Sequence, residues 1–276
     1  MTDEQVREQL KIYESQGFDK YQLEIISQGL KADFDVSIYA KPEFNRDQMY
    51  VIYSGLEDGL DVSLYAKSIF NSSQMCAIYF GLKAGIDVTV YAKPEFRAGQ
   101  MDRIRMGLKE NVDISIYANP EFSENQMEQI YLGLKKKVDV TNYTNKEFDF
   151  QQMEQIRRGL ESNVDVSIYA KPEFDDNQMY MIRKGLESNI NVFIYAKSKF
   201  NYRQMEVIYY GLKNNIDVSL YADTKFNYRQ MTFIYKGLKQ GLDVSTYADP
   251  DTNFMQMKEI FTELKKNQPS SNTDTN

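Results

Sequence analysis

Apolar residues follow one spacing that recurs along almost the whole chain. Met49, Ile52 and Leu56 stand at i, i+3 and i+7, with polar residues between them, and this spacing gathers side chains on one face of an α-helix. The set returns 26 positions later as Met75, Ile78 and Leu82, and then as Met101, Ile104 and Leu108. A fixed period of this size, roughly 20 to 50 residues, marks stacked repeats, in which each unit buries its apolar face against its neighbours. The expected fold is therefore an all-α, elongated α-solenoid of about nine units, each holding one helix of about 12 residues, near the average length.

Polar residues at fixed offsets set where each helix begins. Directly after a recurring Phe comes Asn45, Asn71, Ser123, Asp149, Asp175, Asn201 or Asn227, all good N-caps, with Arg97 as the exception. Three residues on stands a Gln in every unit, from Gln48 and Gln74 to Gln230 and Gln256. Cap plus Gln predicts a capping box, and Phe44 before the cap with Met49 in the first turn predicts a hydrophobic staple. The helix stops are equally regular: Asp33, Gly59, Gly85, Asn111, Lys137, Asn163, Asn189, Asn215 and Gly241 form a column suited to the left-handed conformation that ends helices.

Between helices runs a phrase such as Asp61-Val62-Ser63-Leu64-Tyr65-Ala66. Alternation of Leu60, Val62 and Leu64 allows a strand and hence a βα horseshoe. An Asp cap with Val62, Tyr65 and Ala66 at i, i+3 and i+4 also allows a short α or 3-10 turn, and this is the favoured reading. Within each helix lies a glycine, as at Gly55, Gly81 and Gly107, where it costs about 1 kcal/mol relative to alanine. A neighbour must exclude a side chain there, and the Tyr or Ala of the following short segment is the expected one. In the last unit, which has no successor, Glu263 replaces the glycine.

The two ends differ from the interior in the way that solenoid caps do, so the array reads as complete. Residues 1–18 are expected to form an N-terminal capping helix opened by Thr2 and Gln5, and residues 19–266 the helical repeats. The polar stretch 267–276 is expected to be a disordered tail.

Composition narrows the chemistry. The chain of 276 residues has no histidine and a single cysteine, Cys76. That excludes Ser-His-Asp and Cys-His catalysis, His-ligated zinc and any intrachain disulfide. No enzyme activity and no cofactor is expected. A net charge of −7 disfavours a dedicated nucleic-acid or anionic-membrane binder. With a polar amino terminus and no long apolar run, the chain is expected to be soluble and cytoplasmic.

Two stretches carry a family resemblance: Tyr169-Ala170-Lys171-Pro172-Glu173-Phe174, and Gln152-Met153-Glu154-Gln155-Ile156-Arg157-Arg158-Gly159-Leu160-Glu161. This phrase resembles a repeat of uncharacterised bacterial proteins often encoded near mobile elements, and the resemblance covers nearly the whole chain. It implies no activity. The alternation of a short turn with a longer capped helix is also loosely similar to leucine-rich-variant repeats, which stack α- and 3-10 helices.

Three columns are candidate sites. An aspartate column, including Asp61 and Asp87, invites a metal ladder, but units about 9 Å apart are too far for neighbouring carboxylates to share an ion, and N-capping is the stronger reading. A Tyr/Arg column, including Tyr79, Arg105, Arg183 and Tyr209, is similar to base-stacking positions of RNA-reading repeats, yet its place beside the core favours packing. The face opposite the core holds apolar residues where the units disagree: Ala77, Phe80, Met106 and Leu132, then Met181, Val207, Tyr210 and Phe233. Contiguous apolar positions of this kind mark partner surfaces, and Phe80, Met106, Leu132, Tyr210 and Phe233 are the expected partner-binding residues. The expected function is a non-catalytic protein-interaction scaffold or inhibitor with an unidentified protein partner. The alternative is single-stranded nucleic-acid binding through the Tyr/Arg column.

Overall fold

A computed structural model describes residues 1–267, which are all-α, with no strand among them. The chain forms two compact units, Met1–Lys137 and the residues from Val138 on. In the first unit lie α1 (Asp3–Ser15), α2 (Lys20–Lys31), α3 (Arg46–Glu57), α4 (Ser72–Lys83), α5 (Ala98–Lys109) and α6 (Glu124–Lys136). The second holds α7 (Phe150–Glu161), α8 (Asp176–Glu187), α9 (Tyr202–Lys213), α10 (Tyr228–Lys239) and α11 (Phe254–Lys266). Within each unit every helix packs on the next in sequence, the neighbour-on-neighbour order of a solenoid. The expected tail, apart from Asn267, lies outside the described residues.

Among the described residues, eight of the nine short segments are 3-10 turns, as at Val36–Ile38, Val62–Leu64 and Val192–Ile194, the one at 218–220 is a plain turn, and the strand alternative is set aside. Sequence chemistry explains the choice. Asp61 Oδ1 accepts from the Ser63 backbone N–H at 3.1 Å and from its hydroxyl at 2.6 Å, which closes the chain into a turn. The Tyr65 N–H then donates to the Val62 carbonyl.

Helix ends follow the column readings. Asn45 Oδ1 accepts from the Gln48 N–H at 2.9 Å, while the Asn45 N–H donates to Gln48 Oε1 at 2.8 Å, completing the box. At Arg97, which has no acceptor in its side chain, only the half from Arg97 N–H to Gln100 Oε1 survives. All nine residues of the stop column have positive φ, from 54° at Asn189 to 70° at Gly241. Phe44, Met49 and Ile52 are buried as staple and core, and Leu56 is half-buried.

The helix glycines meet the following turn. A Cβ on Gly55 would overlap Tyr65 Oη and lie 2.8 Å from Val62 Cγ1, and the same pair of obstacles recurs at Gly29, Gly81, Gly159 and Gly211. Tyr65 Oη donates to the Val51 carbonyl at 3.2 Å, one helical turn before the glycine. Tyr221 occupies the equivalent place, but its hydroxyl has no hydrogen-bond partner and nothing in the structure explains the difference.

A second inter-repeat link was not expected from the capping box. The Gln48 amide uses its oxygen for the cap and donates from Nε2 to the Phe70 carbonyl of the next repeat at 2.7 Å. Gln22, Gln74 and Gln100 do the same to Phe44, Phe96 and Phe122, and in the second unit Gln152, Gln178 and Gln204 reach Phe174, Phe200 and Phe226. A capping box accepts Glu or Gln equally. Only the amide can also donate, which explains a column that is never Glu.

Candidate interaction surface

The helix positions expected to face outward divide into two sets. Three residues separate Ala77 from Phe80 and Met181 from Lys184, a rotation of about 60° on an α-helix. That rotation turns Ala77 and Met181 inward, where both are buried, contrary to the expectation that they face solvent. In the same column Phe233 is half-buried and its ring lies 5.8 Å from Phe261 of the next helix.

The other column faces solvent more fully. In the first unit Phe80 is 52% exposed on α4, with Met106 on α5 and Leu132 on α6 half-buried in the same register. The Phe80 ring sits edge-on to Tyr79 at 5.0 Å. In the second unit Tyr210 is exposed on α9, edge-on to Tyr209 at 5.2 Å, and the Lys184 ammonium lies 5.5 Å from its ring. Phe80 and Tyr210 thus offer open rings, whereas Met106, Leu132 and Phe233 offer only part of their surface.

The Tyr/Arg column lies between adjacent helices. Tyr209 is 1% exposed and its hydroxyl is 3.3 Å from the Ser188 hydroxyl at the end of the preceding helix. The Tyr79 hydroxyl donates to Asp58 at 2.6 Å, and with Lys83 at 2.7 Å it holds the Asp58 carboxyl below its ordinary range, the lysine contact being the larger cause. Arg183 donates to Gln155 of the preceding helix and pairs with Glu187 at 2.6 Å. Tyr79, Arg183 and Tyr209 thus latch their helices to the preceding one, and Arg183 and Tyr209 are buried.

The aspartate column works as turn caps. Asp87, Asp113, Asp139 and Asp243 each accept from the Ser or Thr two residues on, and hydroxyl donation is the larger reason that their carboxyls sit below the ordinary range. No cluster of three metal-ligating side chains occurs among the described residues. Burial pushes the Cys76 thiol up, which disfavours its reactive thiolate. No helix among the described residues is long and apolar enough to cross a membrane.

The most exposed large apolar residue was missed in the sequence. Phe193 is 69% exposed, in a column that is Ser or Thr in every other unit, and Asn191 stands there in place of the usual Asp. Asn191 Oδ1 still caps the turn by accepting from the Phe193 N–H at 3.2 Å. The hydroxyl-to-carboxylate bond is gone and an aromatic ring takes its place in solvent. Beside it an open groove of about 560 Å³ is lined by Phe193, Ile194, Leu212, Ile216 and Val218, with Lys197 at its wall. Leu220, in the next turn, is also exposed by half. The signal was present as the one break in the Asp-x-Ser/Thr phrase. Ile69, exposed in a column that is otherwise charged, is a similar break in the first unit.

Comparison of the chain with protein-family models, with curated proteins and with solved structures finds no match.

Proposed function

We propose that this chain is a non-catalytic protein-binding scaffold or inhibitor that works in the cytoplasm and engages its partner through positions where the repeats differ. The observation that carries this reading is Phe193. Folding asks for a small hydroxyl residue at this position, as in every other unit, yet the chain exposes a phenylalanine over an apolar groove. A departure from the local rule without a folding benefit is what a functional surface leaves behind. Phe80 and Tyr210 are further open rings of the same kind.

The non-catalytic part rests on how the repeated residues are used. Caps, staples, the glutamine links and the Tyr/Arg latches occupy nearly every recurring polar group, and no histidine is present to act as acid or base. The resemblance to bacterial repeats encoded near mobile elements adds an origin but no chemistry. Single-stranded nucleic-acid binding through the Tyr/Arg column is the weaker reading, because base stacking needs open ring faces and Tyr209 has none.

Affinity capture with the chain as bait tests the proposal. The Phe193→Ser, Leu220→Ser variant should keep its melting temperature and lose the specific partner recovered by the parent. Recovery of the same protein at the same yield would overturn it.

A further inference from the structure

The first turns of α9 and α10 reverse the charge of the edge on which they lie. Two residues before the N-cap, the repeats carry Glu43, Glu95, Glu121, Glu147 and Glu173, and acids enter the first turns as Asp47, Glu124 and Asp176. At two consecutive repeats the same places hold Lys199, Tyr202 and Arg203, then Lys225, Tyr228 and Arg229. Positive charge in a first helical turn opposes the helix dipole, so folding gains nothing from this reversal.

Four of the six residues form an ordered ladder. Arg203 donates from Nε to the Tyr202 hydroxyl at 3.1 Å and from a terminal nitrogen to the Tyr228 hydroxyl at 3.0 Å, bridging the two helices. Arg229 continues the row, donating from Nε to Tyr228 at 3.2 Å and lying 4.9 Å from the Phe254 ring. Arg203 and Arg229 are exposed and each keeps further N–H donors beyond these bonds, while Lys199 and Lys225, two residues before the N-caps, are exposed as well. The aromatic contacts fix the guanidinium planes before any partner arrives, which lowers the ordering cost of binding.

We propose that this strip docks a short acidic segment of a partner protein, with carboxylates pairing to Arg203 and Arg229. The inference rests on the protein-binding reading but not on the apolar groove. Charge complementarity selects the ligand, and the extent of the strip selects its length. The basic residues lie on two neighbouring helices, one ordinary spacing of about 10 Å apart. Acids flank them, Glu173 and Asp176 at the helix before and Asp249 and Asp251 at the helix after, about three spacings apart, and one exposed acid, Asp223, stands two residues before Lys225. An extended peptide of about six residues, roughly 20 Å long, fits between those flanks. A longer polyanionic strand would run onto carboxylates at both ends, which disfavours nucleic acid.

Fluorescence anisotropy of the full chain at low salt, with labelled hexaglutamate as probe, tests this. Hexaglutamate should bind, and Arg203→Gln, Arg229→Gln should weaken it by at least about tenfold. Lys109→Gln, Lys136→Gln, an equal change in net charge elsewhere, should leave it within about twofold. The Phe193→Ser, Leu220→Ser variant should bind hexaglutamate as the parent does, so failure of the groove and failure of the strip are separate results. Three results would overturn the proposal: no binding of hexaglutamate, equal weakening by both charge variants, or tighter binding of a thymidine hexanucleotide than of hexaglutamate. Arg203→Glu, Arg229→Glu, whose new charges suit a helix start, provides a folded variant should the glutamine pair melt early.

Discussion

The hydroxyl oxygen of Tyr65 lies in the space that a Cβ on Gly55 would need. From there it donates to the Val51 carbonyl, so one atom both marks the glycine and secures the turn to the helix before it. The contact reverses an ordinary rule of helix design. Alanine normally stabilises a helix interior by about 1 kcal/mol over glycine. Gly55→Ala should instead destabilise by about 2 kcal/mol, since overpacking forces the ring or the helix to move. Tyr65→Phe removes the obstructing oxygen, so the double variant should be less destabilised than the sum of the two singles. Urea denaturation of the four proteins measures the coupling, and strict additivity would disprove the contact.

Gln100 shows why the second inter-repeat link requires an amide. Its side chain is 2% exposed, accepts from the Arg97 N–H, and donates to the Phe122 and Pro120 carbonyls at 2.5 and 3.0 Å. Gln100→Glu keeps the acceptor and sets a buried carboxylate against two carbonyl oxygens. The expected loss is about 3 kcal/mol near neutral pH, the cost of a buried charge that has one donor and faces two acceptors. Repulsion raises the new carboxyl's folded pKa above its unfolded value, so the loss should shrink as falling pH protonates it. A midpoint equal to the parent's at neutral pH would refute the link.

Lys137 ends α6 with φ 60° and ψ 31°, where most other repeats use Gly or Asn. A side chain in the left-handed region costs about 1 kcal/mol through contact of Cβ with the following carbonyl oxygen. Lys137→Gly should therefore stabilise the chain by up to about 1 kcal/mol, less the added freedom of glycine in the unfolded state. A lower melting temperature for this variant would contradict it.

Much of the repeat was legible in the sequence because local rules act within a few residues. Caps such as Asn45, stops such as Gly59 and the Phe44 staple are set by neighbours one helical turn away. The place of Gly55 was also legible, since an interior glycine demands a close approach. What stayed hidden depends on contacts about 20 residues apart. The Gln48 bond to Phe70 coincides with a residue already explained by capping, so its second use left no separate trace except the absence of Glu. Ala77 was misplaced because a small rotation about the helix decides between solvent and the next helix, and the spacing alone does not fix that angle. Phe193 stayed hidden because most apolar variation between units lies in the helix columns, whereas this break in pattern lies in the turn.

The turn caps give the fold an acid dependence whose sign follows from their bonds. Donation from the Ser or Thr hydroxyl, then from its backbone N–H, holds the Asp61, Asp87, Asp113, Asp139 and Asp243 carboxyls below their ordinary range. A carboxyl with a depressed folded pKa contributes stability that is present above its unfolded pKa of about 3.9 and disappears as pH falls through the folded value. Stability should therefore decline below about pH 4, with each cap adding to the slope. The seventh turn takes no part, because Asn191 does not titrate and Phe193 has no hydroxyl. Asn191→Asp, Phe193→Ser rebuilds the consensus cap there. Relative to the parent, this variant should gain stability at about pH 7 and lose that gain by about pH 2, as read from urea midpoints. Ser63→Ala makes the opposite change at Asp61, lowering stability near neutral pH and reducing the acid dependence. A difference between variant and parent that is the same at both pH values would show that the hydroxyl-capped carboxylates do not set the acid response.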